Sequence, residues 1–90
     1  MASVWRIEIT ATAQRQIGKL DRQVARQIYR FLRERVATEE NPRRMGKRLI
    51  ATGSEVWRYR VGDYRILCDI RDERLVVMVV KVGHRGDVYR

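Results

Sequence analysis

The stretch Leu75-Val76-Val77-Met78-Val79-Val80 is apolar at every position. A strand with one wet face alternates apolar and polar side chains, so an unbroken run of this length has to be covered on both faces. It calls for a central strand with a neighbour on either side. Upstream, Val56 to Val61 and Arg65 to Ile70 read as two further strands, separated by Gly62-Asp63 and followed by Arg71-Asp72-Glu73-Arg74. Connections this short and polar imply antiparallel hairpins. At the N-terminus, Trp5, Ile7 and Ile9 alternate with Arg6 and Glu8, the pattern of a half-buried strand. Its natural place is the free side of the central strand. The expected sheet is therefore antiparallel with order 1-4-3-2.

Between the first strand and the rest lie two helical segments. Thr10 or Thr12 suits the cap of the first, with Ala13, Ile17 and Leu20 as its inner stripe. Gly18-Lys19-Leu20-Asp21 reads as a break, and Asp21 as the cap of the second. Val24, Ile28, Phe31, Leu32 and Val36 recur at helical spacing, while Arg22, Arg26, Arg30 and Arg33 fall on the solvent side. Thr38 to Gly46 carries the only proline, Pro42, and reads as a connection. Lys47-Arg48-Leu49-Ile50 follows as a short strand or extended arm, and Gly53-Ser54 leads into the second long strand. The fold class is α+β: β-α-α-β-β-β in two layers, with a helical hairpin on one face of the sheet. Ninety residues suit one domain, 1–90.

The formal net charge is +9, and of the 20 basic residues only Lys19, Lys47 and Lys81 are lysines. A chain this rich in guanidinium points to nucleic acid, an acidic protein partner, or both. Cys68 is the only cysteine, which excludes an intrachain disulfide and a cysteine zinc site and fits a reducing cytoplasm. Its apolar surroundings read as those of a small buried residue. Neither a signal peptide nor a membrane span is legible, and no metal or cofactor site is expected.

The charge is not spread evenly. Side chains at i and i+2 of a strand share a face. If Trp57, Tyr59 and Val61 pack on the helices, then Val56, Arg58 and Arg60 face away. If Ile66, Cys68 and Ile70 point inward, then Arg65, Leu67 and Asp69 join them on the outer face. Three cations are thereby gathered on one face, interleaved with Val56 and Leu67, which are expected to be exposed. A bland reading pairs some of these arginines with Asp69 or Asp87; the sharper one places a phosphodiester there, with a tyrosine stacking on a base.

Val56-Trp57-Arg58-Tyr59-Arg60, then Val61-Gly62-Asp63-Tyr64-Arg65-Ile66-Leu67, resembles the core of the RelE/ParE toxin superfamily. The ending Val82-Gly83-His84-Arg85-Gly86-Asp87-Val88-Tyr89 resembles its C-terminal signature, and the resemblance covers essentially the whole chain. It implies a RelE-like fold and a type II toxin-antitoxin toxin. The RelE branch cleaves mRNA in the ribosomal A site, using the 2′-hydroxyl as nucleophile and leaving a 2′,3′-cyclic phosphate. The residues matching its catalytic set are Arg58, Arg60, Arg65, Arg85 and Tyr89. His84 occupies a position where a basic residue often stands. Arg43, Arg44, Lys47 and Arg48 are candidates for rRNA or mRNA contact, by charge and position.

The resemblance also implies partners: a cognate RelB-like antitoxin, the 30S A site with its mRNA, and operator DNA only through the antitoxin complex. One departure bears on mechanism. RelE carries lysines on the second strand where this chain has Arg58 and Arg60, and arginine does not give up its proton. Those residues suit phosphate binding and stabilisation of a phosphorane rather than general base catalysis. Two other readings stand beside the ribonuclease: a ParE-like toxin acting on DNA gyrase, and a basic nucleic-acid-binding module.

Overall fold

The computed structural model describes residues 4–49 and 55–88. The elements are β1 (Arg6–Ile9), α1 (Ala11–Gly18), α2 (Arg22–Phe31), β2 (Lys47–Leu49), β3 (Val56–Val61), β4 (Tyr64–Arg71) and β5 (Val76–His84). Leu32–Val36 prolongs α2 as one wider π-helical turn, closed by the Ala37 N–H on the Leu32 carbonyl at 2.9 Å. The strands form one mixed sheet of order β1-β5-β4-β3-β2. The four expected strands hold their relative order, and residues 47–49 add a fifth at the edge beside β3. Ile50 and Gly53-Ser54 lie outside the described residues.

One expectation is corrected. The sheet is not antiparallel throughout, because β1 runs parallel to β5, with Arg6 opposite Val76 and Ile9 opposite Val79. Hairpins fix the alternation of β3, β4 and β5 but not the direction of β1, which is joined to the rest through helices. Strands linked by a crossover rather than a tight turn are free to run parallel.

The centre of the sheet matches its sequence. Val76, Val77 and Val79 of β5 are fully buried. Leu75, by contrast, precedes the strand, is 47% exposed and adopts a left-handed φ of 51° in the turn. One face of β3, β4 and β5 supplies Tyr59, Ile66, Cys68, Ile70, Val77, Val79 and Val82 to the core. The helices supply Ala13, Ile17, Ile28, Leu32 and Val36. Burial pushes the Cys68 thiol up, so it stays neutral as an apolar filler.

Local signals set the helix ends. The Thr10 side chain caps α1 by accepting from the Ala13 N–H at 3.2 Å, whereas Asp21 stands at the cap position of α2 without a side-chain cap hydrogen bond. Arg22, Arg26, Arg30 and Arg33 are exposed, and Arg30 meets Glu34 at 3.5 Å. The helix layer is pinned to the sheet by the Val82 N–H, which donates to Gln16 Oε1 at 2.8 Å, and by the Thr10 N–H on the Val79 carbonyl. The connection after α2 is anchored from below: buried Tyr59 donates its hydroxyl to the Pro42 carbonyl at 2.9 Å.

Two glycines sit at close approaches. A Cβ on Gly46 would lie 2.6 Å from the Arg58 carbonyl oxygen and 3.1 Å from the Tyr59 ring. That absence of a side chain lets the chain enter β2 flat against β3. A Cβ on Gly83 would lie 3.4 Å from Val88 Cα and Cβ, because the residues after β5 fold back over it. This turn is held by the Asp87 and Val88 N–H groups on the His84 carbonyl, at 2.8 and 3.0 Å, and by the Arg85 N–H on the Asp63 carbonyl at 2.8 Å. Val88 is buried there, on the side of the sheet away from the helices.

Gly46→Ala is expected to destabilise by about 1–3 kcal/mol, since backbone and a packed ring must both give way. Its melting temperature should fall by roughly 5–15 °C, measured by thermal denaturation. Gly83 should behave differently. Gly83→Ala meets Val88 at ordinary contact and should keep the amide of Val88 protected in hydrogen exchange. Gly83→Leu should strip that protection while leaving the amides of the core strands slow.

Candidate functional site

Strand register resolves the outer face into rows. Lys47 of β2 stands opposite Arg58 of β3, Arg58 opposite Leu67 of β4, and Leu67 opposite Lys81 of β5. The next row holds Arg60, Arg65 and Gly83. The two rows gather five cations and no acidic position. Neighbouring strands are about 4.8 Å apart, so these side chains share a patch roughly the length of a dinucleotide step or two. At the other end of the same face the charges balance: Arg6 meets Glu8 at 2.9 Å and Arg71 meets Asp69 at 2.8 Å. Asp69 is thus engaged by Arg71, two positions along its own strand.

Arg60 and Arg65 are directly opposed, an arrangement that repels. The structure separates their heads. Arg65 is only 7% exposed, and its Nη1 donates to the Gly62 and Tyr64 carbonyls at 3.1 Å each. It therefore braces the β3–β4 turn, while a guanidinium offers three further N–H donors. Gly62 supplies the left-handed residue of that turn, with φ 58°. Arg60 is exposed and Arg58 half-buried. Leu67, expected to be exposed, is buried at 9%, because it lies in its row between the long side chains of Arg58 and Lys81.

The C-terminal turn completes the patch. It packs Val88 over Gly83 in the second row and leaves Arg85 exposed beside the Asp63 carbonyl that holds its N–H. Tyr89 lies outside the described residues. His84 is not brought to the arginine face. It pairs with Tyr64, one alternation away from Gly83, and its ring meets that of Tyr64 edge-on at 5.7 Å. Its Nδ1 accepts from the Gly86 N–H at 3.4 Å, which in the neutral ring leaves the proton on Nε2.

The four basic residues of the preceding segment separate. Arg43 is committed to structure: it meets Asp72 at 2.6 Å and Glu55 at 3.4 Å, and lies 5.9 Å from the centroid of Trp57. The hydrogen bond to Arg43 holds the Asp72 carboxyl below its ordinary value, and the same bond raises Arg43. This clamp joins the Pro42–Met45 turn, the start of β3 and the β4–β5 turn, so Arg43 does not present an open cation. Arg44 is exposed. Lys47 is exposed in the first row. Arg48 pairs with Trp57 and so faces the helix side.

Lys81 was not singled out by its sequence, because it sits just beyond the apolar run that defines β5. Alternation continued from the inward Val77 and Val79 would put Lys81 in the core, whereas the structure turns Val82 inward and Lys81 out. What hides it is a one-residue slip, with Leu67 opposite Lys81 but Cys68 opposite Val79. Such a bulge re-aims side chains and recurs next to active sites.

Comparison with known proteins places this fold in a family. Residues 7–89 match the model of the ParE toxin of type II toxin-antitoxin systems, parDE. The chain is 33% identical over 84 residues to Toxin RelG of Mycobacterium tuberculosis, covering 93% of this chain and 94% of that protein. Among solved structures, the toxin-antitoxin complex RelBE2 of M. tuberculosis superposes with a TM-score of 0.83 at 30% identity, covering 97% of this chain and 98% of the matched one. The archaeal RelE-RelB complex of Pyrococcus horikoshii follows with a TM-score of 0.74 at 25% identity, over 94% and 99% of the two chains. A variant of E. coli RelE in the free state gives 0.75 at 26% identity, over 96% and 90%. With a family model matched over residues 7–89, a relative 33% identical across nearly the whole of both chains, and a fold shared with solved RelE-type toxins, the chain belongs to the RelE/ParE superfamily of type II toxin-antitoxin toxins.

Proposed function

We propose that this toxin is a ribosome-dependent endoribonuclease that cleaves mRNA in the A site and so inhibits translation. The observation that carries this reading is the pair of cationic rows, Lys47-Arg58-Leu67-Lys81 and Arg60-Arg65-Gly83, closed by the turn that bears Arg85. Catalysis rests on positioning and electrostatics. Arg85 and Arg65 hold the scissile phosphate, with Arg65 also bracing its own turn. Arg58 and Arg60 neutralise charge as the pentacoordinate phosphorus forms. Tyr89 orients the base. The ribosome supplies substrate alignment, so cleavage of naked RNA is weak.

The ParE-like reading has its own support, since the matching family model is that of a ParE toxin. The two separate cleanly. Primer extension on mRNA after induction, with ribosomes present and absent, shows cuts within codons only with ribosomes if the chain is the nuclease. Intact mRNA with DNA-damage signalling identifies the gyrase poison.

Arg85→Ala is expected to abolish growth arrest while leaving the fold intact, because the side chain is exposed beyond β5 and supports no core. Losing a contact made mainly in the transition state costs about 3 kcal/mol, on the order of a hundredfold in rate. Undiminished arrest at equal expression removes Arg85 from the site.

The partner is an antitoxin of RelB type, a reading supported by the solved complexes of the similar RelE toxins. Its toxin-binding segment is acidic and orders on binding, meeting the arginines with carboxylates. Association should slow as salt rises, because steering between opposite charges is screened within about 10 Å at 0.1 M. The check is the association rate against ionic strength with the product of the adjacent gene; a flat dependence or a basic partner defeats the proposal.

A further inference from the structure

We propose that Lys81 is the general acid of the cleavage reaction, donating its ammonium proton to the 5′-oxygen that leaves the scissile phosphate. The inference rests on the ribonuclease reading and goes beyond it in assigning the proton transfer that the arginines do not perform.

The argument begins with what the outer face contains. Of its five cations three are guanidiniums, which stay protonated through any reaction near neutrality. They stabilise charge but do not relay protons. The titratable cations on the face are Lys47 and Lys81. His84 points to the other side of the sheet and meets Tyr64 there. Lys47 lies on the edge strand, exposed, with a whole strand between it and β4. Lys81 lies on the strand next to β4, half-buried, directly across from Leu67.

Its surroundings are built rather than incidental. At Val80–Lys81 the β5 strand carries one residue more than β4 opposite it. The inward residues are Val79 and Val82, so both positions between them fall on the arginine side. β1 has ended by this point, and its pairing is replaced by the Thr10 N–H on the Val79 carbonyl and by Gln16 on the Val82 N–H. Lys81 thus stands where the sheet opens, across buried Leu67 from Arg58. With β4 between them, the backbones of Lys81 and Arg58 lie two strand spacings apart, about 10 Å, a gap that two long side chains bridge toward one phosphate lying over Leu67. Arg65 is one row further along β4, and Gly83 and the C-terminal turn one row further along β5.

The step balances as follows. The 2′-oxygen forms a bond to phosphorus and its proton passes to water. The bond from phosphorus to the 5′-oxygen breaks, and that oxygen takes a proton from the Lys81 ammonium. The resulting amine regains a proton from solvent. The products are a 2′,3′-cyclic phosphate and a 5′-hydroxyl, with no net gain or loss of protons.

The test uses 70S ribosomes with an A-site codon RNA that carries either the natural 5′-oxygen or a 5′-bridging sulfur at the scissile phosphate. A thiolate leaves without protonation, so a missing general acid no longer matters. Single-turnover rates are measured for the wild-type toxin, Lys81→Arg and Lys81→Met. On the oxygen substrate both variants should lose on the order of a hundredfold. On the sulfur substrate both should return to within about threefold of wild type. Equal losses on both substrates overturn the proposal in favour of a purely electrostatic or structural role. Wild-type rates for Lys81→Arg on the oxygen substrate overturn it as well. If the wild-type toxin cleaves neither substrate on the ribosome, the ribonuclease reading itself falls, an outcome distinct from failure of Lys81 alone.

Discussion

Everything on the outer face depends on how β4 pairs with its two neighbours. The pairing with β3 sets Arg60 against Arg65 and Arg58 against Leu67. The pairing with β5 sets Gly83 against Arg65 and Lys81 against Leu67. A slip of one residue on either side would send these side chains into the core and bring valines out. The register is held by the opposite face, where Tyr59, Ile66, Cys68, Val79 and Val82 interlock beneath the helices. The chemistry of one face is therefore enforced by the packing of the other.

The cations of the chain divide by task. Arg43 is consumed in a clamp of carboxylates and a tryptophan that closes one edge of the molecule. Arg6 and Arg71 are neutralised where they stand. Arg65 is shared between the turn it braces and the patch it lies in. Arg58, Arg60, Lys47 and Lys81 stand in the two rows of the outer face, with Arg85 at their border. Net charge alone does not distinguish these tasks; the register and the carboxylate neighbours do.

Much of this was legible in the residues because strand alternation is a strict rule. The unbroken apolar run identified the central strand, and the spacing of Arg58, Arg60 and Arg65 identified a common face. The parallel sense of β1 was not legible, since nothing local records the direction of a strand joined through helices. Lys81 was hidden by the bulge, which breaks the alternation that made the other positions readable. Arg43 looked like an open cation because its partners, Glu55 and Asp72, lie 12 and 29 positions away along the chain. The burial of Leu67 likewise follows from the length of its flanking side chains rather than from its own identity.

The opposed arginines have a thermodynamic consequence. Arg60 and Arg65, opposed across β3 and β4, repel in the native state, and an anion over them relieves that repulsion, whereas the unfolded chain separates them. Any polyanion that prefers the folded form adds to its stability by mass action. The molecule is then less stable alone than with an anion over that row. Occupancy of the outer face and stability of the fold are thereby coupled through the same two side chains.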